Sequence, residues 1–277
     1  MNKWRDEWTA YLMILPAVLY VVVLAFYPAI NAVYGSFFTR LGKFGLYNYT
    51  FVLDQYGTAP IYNTFIVTAS ALLLQFTAGF VIAGLLSKPF RGKSIFSAIF
   101  LIPFGVATIV TAVIFYHMFG VEGGYVNSFL RMIGVGPINW TGSFSSSLFV
   151  IVLADSWKNT PIVTLILLAG MTTISPDLYS QAMVDGAGLF QRFFRITLPN
   201  MAGFIAIALM IRGISEFNIF AMALLIFPYQ LLTTMTFSLY DIINARPSEA
   251  AATILLGFVL IFATFVMIYR TKYGKVS

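Results

Sequence analysis

The segment LYSQAMVDGAGLFQRFFRITLP, residues 178–199, separates two long apolar runs and decides how the rest of the chain is interpreted. It holds Asp185, Arg192 and Arg195, together with two glutamines and a Gly-Ala-Gly turn. Hydrophobic residues make up 60% of the 277 positions of the chain, whereas charged residues make up only 9%. So apolar a chain cannot cover a globule with polar surface, and the sequence therefore predicts an integral membrane protein.

Six apolar runs are each long enough for a membrane-crossing helix, which needs about 20 residues. They lie at about 10–30, 62–86, 95–119, 148–170, 201–223 and 250–269. Open sheets cannot span lipid, and the runs lack the alternation of barrel strands, so they are predicted to be helices. The fold class is therefore all-α, a polytopic membrane helix bundle of about six transmembrane helices in a single domain, 1–277. The broken apolar run at 225–243 is interpreted as re-entrant or interfacial.

The distribution of Lys and Arg predicts the orientation, because these residues are concentrated in cytoplasmic loops. With the N-terminus inside, ten of the sixteen lie in inner segments and four in outer loops, while Lys158 and Arg212 lie within spans. The inner residues are Lys3, Arg5, Lys88, Arg91, Lys93, Arg192, Arg195, Arg270, Lys272 and Lys275, and the outer residues are Arg40, Lys43, Arg131 and Arg246. Both termini are predicted to be cytoplasmic, in a multi-pass protein of the cell membrane.

Composition also narrows the chemistry that the chain can perform. The absence of cysteine excludes disulfides, thiolate metal sites and cysteine nucleophiles. His117 is the only histidine, so no histidine cluster for a metal is available, and we predict neither a metal site nor catalytic residues. The net charge of +6 is assigned to helix ends at a membrane rather than to nucleic-acid binding. No cleavable signal peptide is expected, because the first apolar run is too long for one.

The segment at 175–199 is predicted to form two short helices joined by a glycine turn, here called the elbow. Ser175 is a suitable N-cap and Pro176 suits the first helical position. The Gly-Ala-Gly turn ends the first helix, and Pro199 is expected to stop the second. Two interpretations are open for its apolar side chains: packing on the floor of the bundle, or docking of another protein.

The order of residues in the elbow closely resembles the cytoplasmic coupling motif of the membrane subunits of binding-protein-dependent ABC importers of type I. That motif reads Glu-Ala-Ala, then a Gly a few residues on, then Ile-x-Leu-Pro. Ser180 stands where the motif usually has Glu, and Asp177 is a carboxylate that could replace it. The coupling residues that the resemblance implies are Asp177, Ser180, Ala182, Asp185, Gly186, Ala187, Arg192, Arg195, Ile196, Leu198 and Pro199.

Three further stretches resemble the sugar-type branch of that family, which includes maltose and glycerol-3-phosphate permeases. They are YLMILPAVLYVVVLAFYPAINAVYGSFF at 11–38, GLYNYTFVL at 45–53 with NTFIVT at 63–68, and WKNTPIVTLILLAGMTTISPDLY at 157–179. One departure is IFP at 226–228, where the branch usually has Gly-Gly-Pro.

The resemblance implies a complex in which this chain forms half of the path for a mono- or oligosaccharide. The implied partners are a second permease subunit, expected to be a paralogue, two ATPase subunits and an extracytoplasmic solute-binding protein. The chain itself is expected to contact membrane lipid. ATP and Mg would be bound by the ATPase subunits. The chain lacks a Gly-x-x-x-x-Gly-Lys phosphate loop, so it is predicted to be a transport subunit and not an enzyme.

Charged residues within predicted spans are costly and usually face a cavity or each other. Asp155 and Lys158 are three residues apart, and Arg212 and Glu216 are four apart, so each pair shares one helix face. Two interpretations remain open: pairs that neutralise themselves and stabilise the bundle, or residues that line a solute path. Because each span carries one positive and one negative charge, the pattern favours an uncharged polar solute.

Neutral residues beside these charges complete the predicted substrate path. The resemblance places the fourth and fifth helices along the solute path. The candidate set is Asp155, Trp157, Lys158, Asn159, Arg212, Ser215, Glu216 and Asn218.

Three alternatives compete with a sugar permease. The first is an ABC permease for another solute such as glycerol phosphate. The second is an ion-coupled secondary transporter, which the small number of spans and the absence of paired broken helices in two matching halves disfavour. The third is a membrane enzyme, for which the sequence offers no Gly-x-Ser-x-Gly motif and no histidine cluster.

Overall fold

The computed structural model describes residues 3–242 and 245–273, and every regular element within those ranges is helical. The helices are α1 (Lys3–Val21), α2 (Tyr27–Ser36), α3 (Tyr47–Tyr56), α4 (Ala59–Leu86), α5 (Lys93–Gly105), α6 (Thr108–Met118), α7 (Tyr125–Met132), α8 (Phe144–Thr172), α9 (Pro176–Val184), α10 (Leu189–Arg192), α11 (Leu198–Asn200), α12 (Ala202–Phe217), α13 (Ala221–Ile226), α14 (Leu232–Ile242) and α15 (Ala245–Tyr273). The predicted all-α fold class is confirmed.

Four continuous helical segments are long and apolar enough to cross a membrane, and the count rises to six if each of two bent helix pairs is one span. The four are Tyr11–Ser36, Ala59–Leu86, Phe144–Thr172 and Arg246–Lys272. Large apolar side chains on these segments, among them Met13, Leu73 and Phe265, are exposed, which suits a lipid solvent. The structure thus supports a multi-pass membrane protein with up to the six predicted spans.

The third predicted span is not a straight helix. It consists of α5 and α6, which meet at an angle of 95°. A second bend, of 73°, lies at the start of the predicted fifth span, between 189–200 in the elbow and 202–217. At the first bend Val106 and Ala107 adopt extended backbone with ψ of 135° and 141°. The predicted fifth span also runs too far, because α12 ends at Phe217 instead of Ala223.

Two wide π-type turns precede prolines in the same way. Val22–Phe26 joins α1 to α2, and the N–H of Tyr27, directly before Pro28, donates to the carbonyl of Val22. Phe193–Thr197 joins α10 to α11, and there the N–H of Leu198, directly before Pro199, donates to the carbonyl of Phe193. A proline has no N–H and its ring clashes with the carbonyl four residues earlier, so a widened turn lets the helix continue. The expectation that Pro199 stops the second elbow helix is therefore wrong by one residue, since α11 continues to Asn200.

The chain divides into two compact units, one made of Met1–Thr58 and Met235–Leu256 and the other of Ala59–Thr234 and Gly257–Ser277. In the first unit, the buried amide of Asn48 donates to the carbonyls of Ser36 at 2.8 Å and Phe38 at 3.0 Å. The hydroxyl of Ser36 also contacts that of Tyr49 at 2.7 Å. These bonds fix α3 against the end of α2.

In the second unit, α4 and α8 pack along each other more extensively than any other helix pair. One apolar cluster lies between α4, α6, α8 and α13 and includes Phe115, Ile151 and Met222. A second cluster, nearer the elbow, includes Leu167 and Met201. A small residue also allows α8 and α12 to approach closely, because a Cβ added at Gly170 of α8 would lie 2.8 Å from Cγ of Phe204 on α12.

We expect Gly170→Ala to destabilise the second unit by about 1–3 kcal/mol, because the added methyl would overlap the Phe204 ring. Gly84→Ala in α4 is the matched control, since nothing lies within 4 Å of its added Cβ and alanine favours helix more than glycine. Thermal unfolding of both purified variants in detergent checks this, and an equal or higher melting temperature for Gly170→Ala would contradict the packing.

Candidate functional site

The first arm of the elbow, α9, is set by caps at both ends. Ser175 is its N-cap, with Oγ accepting from the N–H of Asp177, and Pro176 is at the first helical position. At the other end Gly186 has a φ of 76°, in the left-handed region that glycine adopts without steric cost. The N–H of Gly186 donates to Met183 and that of Ala187 donates to Ala182, which is the bond pattern of a Schellman motif.

The second arm begins at Gly188, whose N–H donates to Oε1 of Gln191 at 2.9 Å. The two arms are joined by a hydrogen bond of 2.9 Å between the hydroxyls of Tyr179 and Thr197, the latter being buried. The elbow is therefore a defined helix–turn–helix unit, as the sequence predicted.

Much of the elbow's apolar surface faces outward. Val184 is 88% exposed and Phe190 is 81% exposed, and Met183, Leu189 and Phe194 are exposed as well. Exposed apolar side chains in this number on a short polar segment are typical of an interaction site.

The predicted coupling residues divide into exposed and packed groups. Asp177, Ser180, Asp185, Gly186, Arg195 and Pro199 are exposed, while Ala182, Ala187, Arg192, Ile196 and Leu198 are half-buried. Ile196 and Leu198 pack against the apolar cluster around Leu167, so they anchor the elbow to the bundle. The hydroxyl of Ser180 donates back to the carbonyl of Pro176 at 3.2 Å.

Five buried polar side chains from three helices meet inside the second unit. They are Gln75 of α4, Asp155 and Asn159 of α8, and Arg212 and Glu216 of α12. Oδ2 of Asp155 accepts from Gln75 at 2.8 Å and lies 3.5 Å from Arg212, while Oδ1 accepts from Asn159 at 2.9 Å. Glu216 accepts from Gln75 at 2.9 Å and forms an ion pair with Arg212. We call this set the polar cluster.

Lys158 does not belong to the polar cluster. Its Nζ donates to the carbonyl of Val106 at 2.6 Å and to that of Phe104 at 3.2 Å, and it lies 5.7 Å from the centre of the Phe104 ring. The pairing of Asp155 with Lys158 expected from their spacing is therefore wrong, whereas the pair of Arg212 and Glu216 is confirmed. Lys158 instead satisfies carbonyls that the break between α5 and α6 leaves without helical partners.

The remaining candidates for the solute path are accessible. Ser215 of α12 and Asn218, which directly follows that helix, are exposed, and each donates to a backbone carbonyl of α12. Trp157 is 39% exposed, and its ring lies 5.8 Å from that of Phe115. The eight predicted residues thus comprise four in the polar cluster and four outside it.

Sequence reasoning missed Gln75, which contacts three members of the polar cluster. The available signal was an uncharged amide in the apolar run LLLQF, residues 72–76. Among the described residues, no group of three or more His, Asp or Glu could hold a metal ion.

A multi-pass helix bundle with buried charges and a capped elbow at one end of two spans defines a membrane transport subunit. The chain belongs to the family of binding-protein-dependent transport system inner membrane components, which its residues 75–272 match.

Relatives of known name span most of the chain. The chain is 36% identical over 231 residues to the trehalose/maltose transport system permease protein MalF of Thermococcus litoralis, covering 79% of this chain and 76% of that protein. It is 28% identical over 297 aligned positions to the sn-glycerol-3-phosphate transport system permease protein UgpA of Escherichia coli, covering 98% and 96% of the two. A bacterial alginate ABC transporter, crystallised with a periplasmic protein that carries an alginate pentasaccharide, shares the fold with a TM-score of 0.84 at 20% identity, over 99% of each chain.

We expect Arg212→Met to lower the free energy of unfolding by about 3–5 kcal/mol, because it leaves two buried carboxylates without a cation. Arg131→Met is the control, since Arg131 is exposed in the last turn of α7. Thermal unfolding of the purified variants measures the difference. Equal stability of the two variants would show that the polar cluster does not hold these helices together.

Proposed function

We propose that this chain is the permease subunit of an ATP-driven importer and forms half of the path for a saccharide. The observation that carries the proposal is the elbow, a capped helical unit with exposed apolar side chains that lies in the chain between α8 and α12. A soluble partner that grips the elbow could move both attached helices. In this proposal the partner is an ATPase subunit, and the elbow faces the cytoplasm together with both chain termini.

The polar cluster connects the helices on both sides of the elbow, so a movement of the elbow is passed to the bundle. Helix α8 leads into the elbow and α12 leads out of it, and Asp155 and Arg212 connect the same two helices within the bundle. Gln75 adds α4 to that connection. A displacement of the elbow would therefore move three helices together, and we propose that the chain works as one permease domain over 1–277.

The solute path, in this proposal, runs along the exposed surface at the end of α12 that carries Ser215 and Asn218. Trp157 contributes an aromatic surface to the wall of this path. The buried polar cluster supports that wall from inside the bundle. The carboxylates of the cluster are buried and bonded to Arg212 and Gln75, so they are withdrawn from contact with a solute. An uncharged, hydroxyl-rich solute fits such a wall, and the trehalose/maltose relative supports a saccharide.

The proposed assembly contains a second permease subunit, expected to be a paralogue, two ATPase subunits and an external solute-binding protein. ATP and Mg would be bound and ATP hydrolysed on the ATPase subunits, since this chain has no phosphate-binding loop. The solved alginate transporter was crystallised with a periplasmic protein, which supports an external delivery partner. A second candidate solute is glycerol phosphate, favoured by the similarity to UgpA over nearly the whole chain.

Reconstitution of the complete complex in proteoliposomes tests the function. We expect uptake of trehalose or maltose to require ATP and the loaded binding protein, and to persist when a protonophore removes the proton gradient. Uptake of glycerol 3-phosphate in place of any saccharide would favour the second candidate. Uptake without ATP under an ion gradient would show a secondary transporter and contradict the proposal.

We expect Gly186→Val to abolish coupling while the subunit still inserts and assembles. A β-branched residue in the left-handed region is strained by about 1–2 kcal/mol, so the turn between the two arms would change shape. Gly188→Ala is the matched control, because Gly188 has a φ of −68° and an added Cβ meets nothing within 4 Å. The measurement is ATPase activity stimulated by loaded binding protein; a normal response from Gly186→Val would argue against a docking role for the elbow.

A further inference from the structure

A cavity of about 550 Å³ lies at the end of the second unit opposite the elbow. Its walls come from the end of α6, the loop at 119–124, the start of α7 and residues 140–141, with Val150 of α8 and Ile226 of α13. The residues at 140–141 directly precede α8 and the elbow directly follows it. Helix α8 has 29 residues, so the two ends are separated by roughly 44 Å at about 1.5 Å per residue. If the elbow is cytoplasmic, the cavity opens to the outside.

The cavity combines an apolar floor with a polar rim. Phe115, Phe119, Val150 and Ile226 form the floor, and all four are buried. The rim is exposed and is formed by Tyr116, His117, Glu122, Tyr125 and Thr141. Sites for small ligands use this combination, in which apolar and aromatic surface provides contact and a few polar groups fix orientation. A pyranose ring matches it, because the ring has apolar C–H faces and a perimeter of hydroxyls.

Asn127 holds one wall of the cavity in shape. Its side chain is fully buried, and its Nδ2 donates to the carbonyls of Gly120 and Ile138, both at 3.0 Å. Its Oδ1 accepts from the N–H of Ile138 at 3.0 Å and from Nε1 of Trp140 at 3.1 Å. The Trp140 ring also packs edge-on against Phe119 with centroids 5.1 Å apart. A single amide therefore fixes the loop, the indole and the segment before α8, so that a ligand would meet a wall that is already ordered.

The charge of the residues that line the cavity limits which kinds of ligand can bind there. Glu122 is an acidic side chain, and no Lys or Arg is among the residues that line this cavity, all of which the structure describes. A carboxylate accepts hydrogen bonds from hydroxyls and repels carboxylate, phosphate and sulfonate groups. We infer that this cavity binds a neutral saccharide ring as the solute enters the permease. The inference rests on the proposed function and narrows its substrate class to uncharged sugars.

Photolabelling of the assembled complex in nanodiscs tests the site directly. The probes are trehalose and maltose carrying a diazirine, added without the binding protein, and the labelled peptides are identified by mass spectrometry. We expect labels within 115–125 and at 140–141. Unlabelled trehalose should compete at least about tenfold better than digalacturonate, because the acidic sugar would face Glu122.

Two variants and a matched control extend the test. Glu122→Gln and Tyr125→Ala should each reduce labelling roughly tenfold, the loss expected when one strong polar or aromatic contact is removed. Phe129→Ala should leave labelling unchanged, because Phe129 is exposed on the same helix as Tyr125 but does not line the cavity.

The outcomes separate this inference from the proposed function. A wild-type complex that imports a saccharide with ATP but shows no label in the cavity would overturn the site while leaving the function intact. If free sugars fail to label it and both variants raise the concentration of loaded binding protein needed for ATPase stimulation, the cavity receives a protein segment and the saccharide assignment is wrong. Absence of ATP-driven uptake in the wild type would overturn the proposed function, and labelling would still report on the cavity.

Discussion

The polar cluster is the constraint on which the arrangement of the second unit depends. Asp155, Arg212 and Glu216 are charged residues inside helices that otherwise have membrane character, and a lone charge there is costly. Each is accommodated because helices α4, α8 and α12 contribute polar groups to one point. A rotation of any of these helices by one residue, roughly 100°, would remove its group from the others. The cluster therefore fixes the rotational setting of three helices as well as their separation.

That setting gives the elbow its position. The first arm of the elbow follows α8 in the chain and the second arm precedes α12. The ion pair of Asp155 with Arg212 connects the same two helices inside the bundle. The apolar cluster around Leu167 and Met201 packs between the polar cluster and the elbow. Ile196 and Leu198 insert the second arm into this packing, which leaves Val184, Leu189 and Phe190 on the outside. The elbow is therefore packed on one face and exposed on the other, which the proposed docking of a partner requires.

Local chemistry explains which parts of this structure could be predicted from the sequence. The caps of the elbow follow from Ser175, Pro176 and Gly186, because capping depends on neighbours in the chain. The ion pair of Arg212 and Glu216 follows from helical spacing for the same reason.

Contacts between different helices, and the break in the third span, could not be predicted in this way. Asp155 satisfies the same spacing rule with Lys158, yet it contacts Arg212 on another helix, and sequence spacing cannot rank a partner across the bundle. The break at Val106 was likewise hidden, since membrane helices tolerate residues such as Pro103 and Gly105 when neighbouring groups satisfy the freed backbone.

The ammonium group of Lys158 makes that break a fixed corner instead of a flexible joint. Straightening α5 and α6 into one helix would withdraw the carbonyls of Phe104 and Val106 from the half-buried ammonium group of Lys158, which would then lose both of these hydrogen bonds. These two hydrogen bonds hold the bent pair of helices against the middle of α8. A rotation of α8 would therefore also move the bend between α5 and α6. Phe115 of α6, which forms part of the floor of the cavity, would move with it.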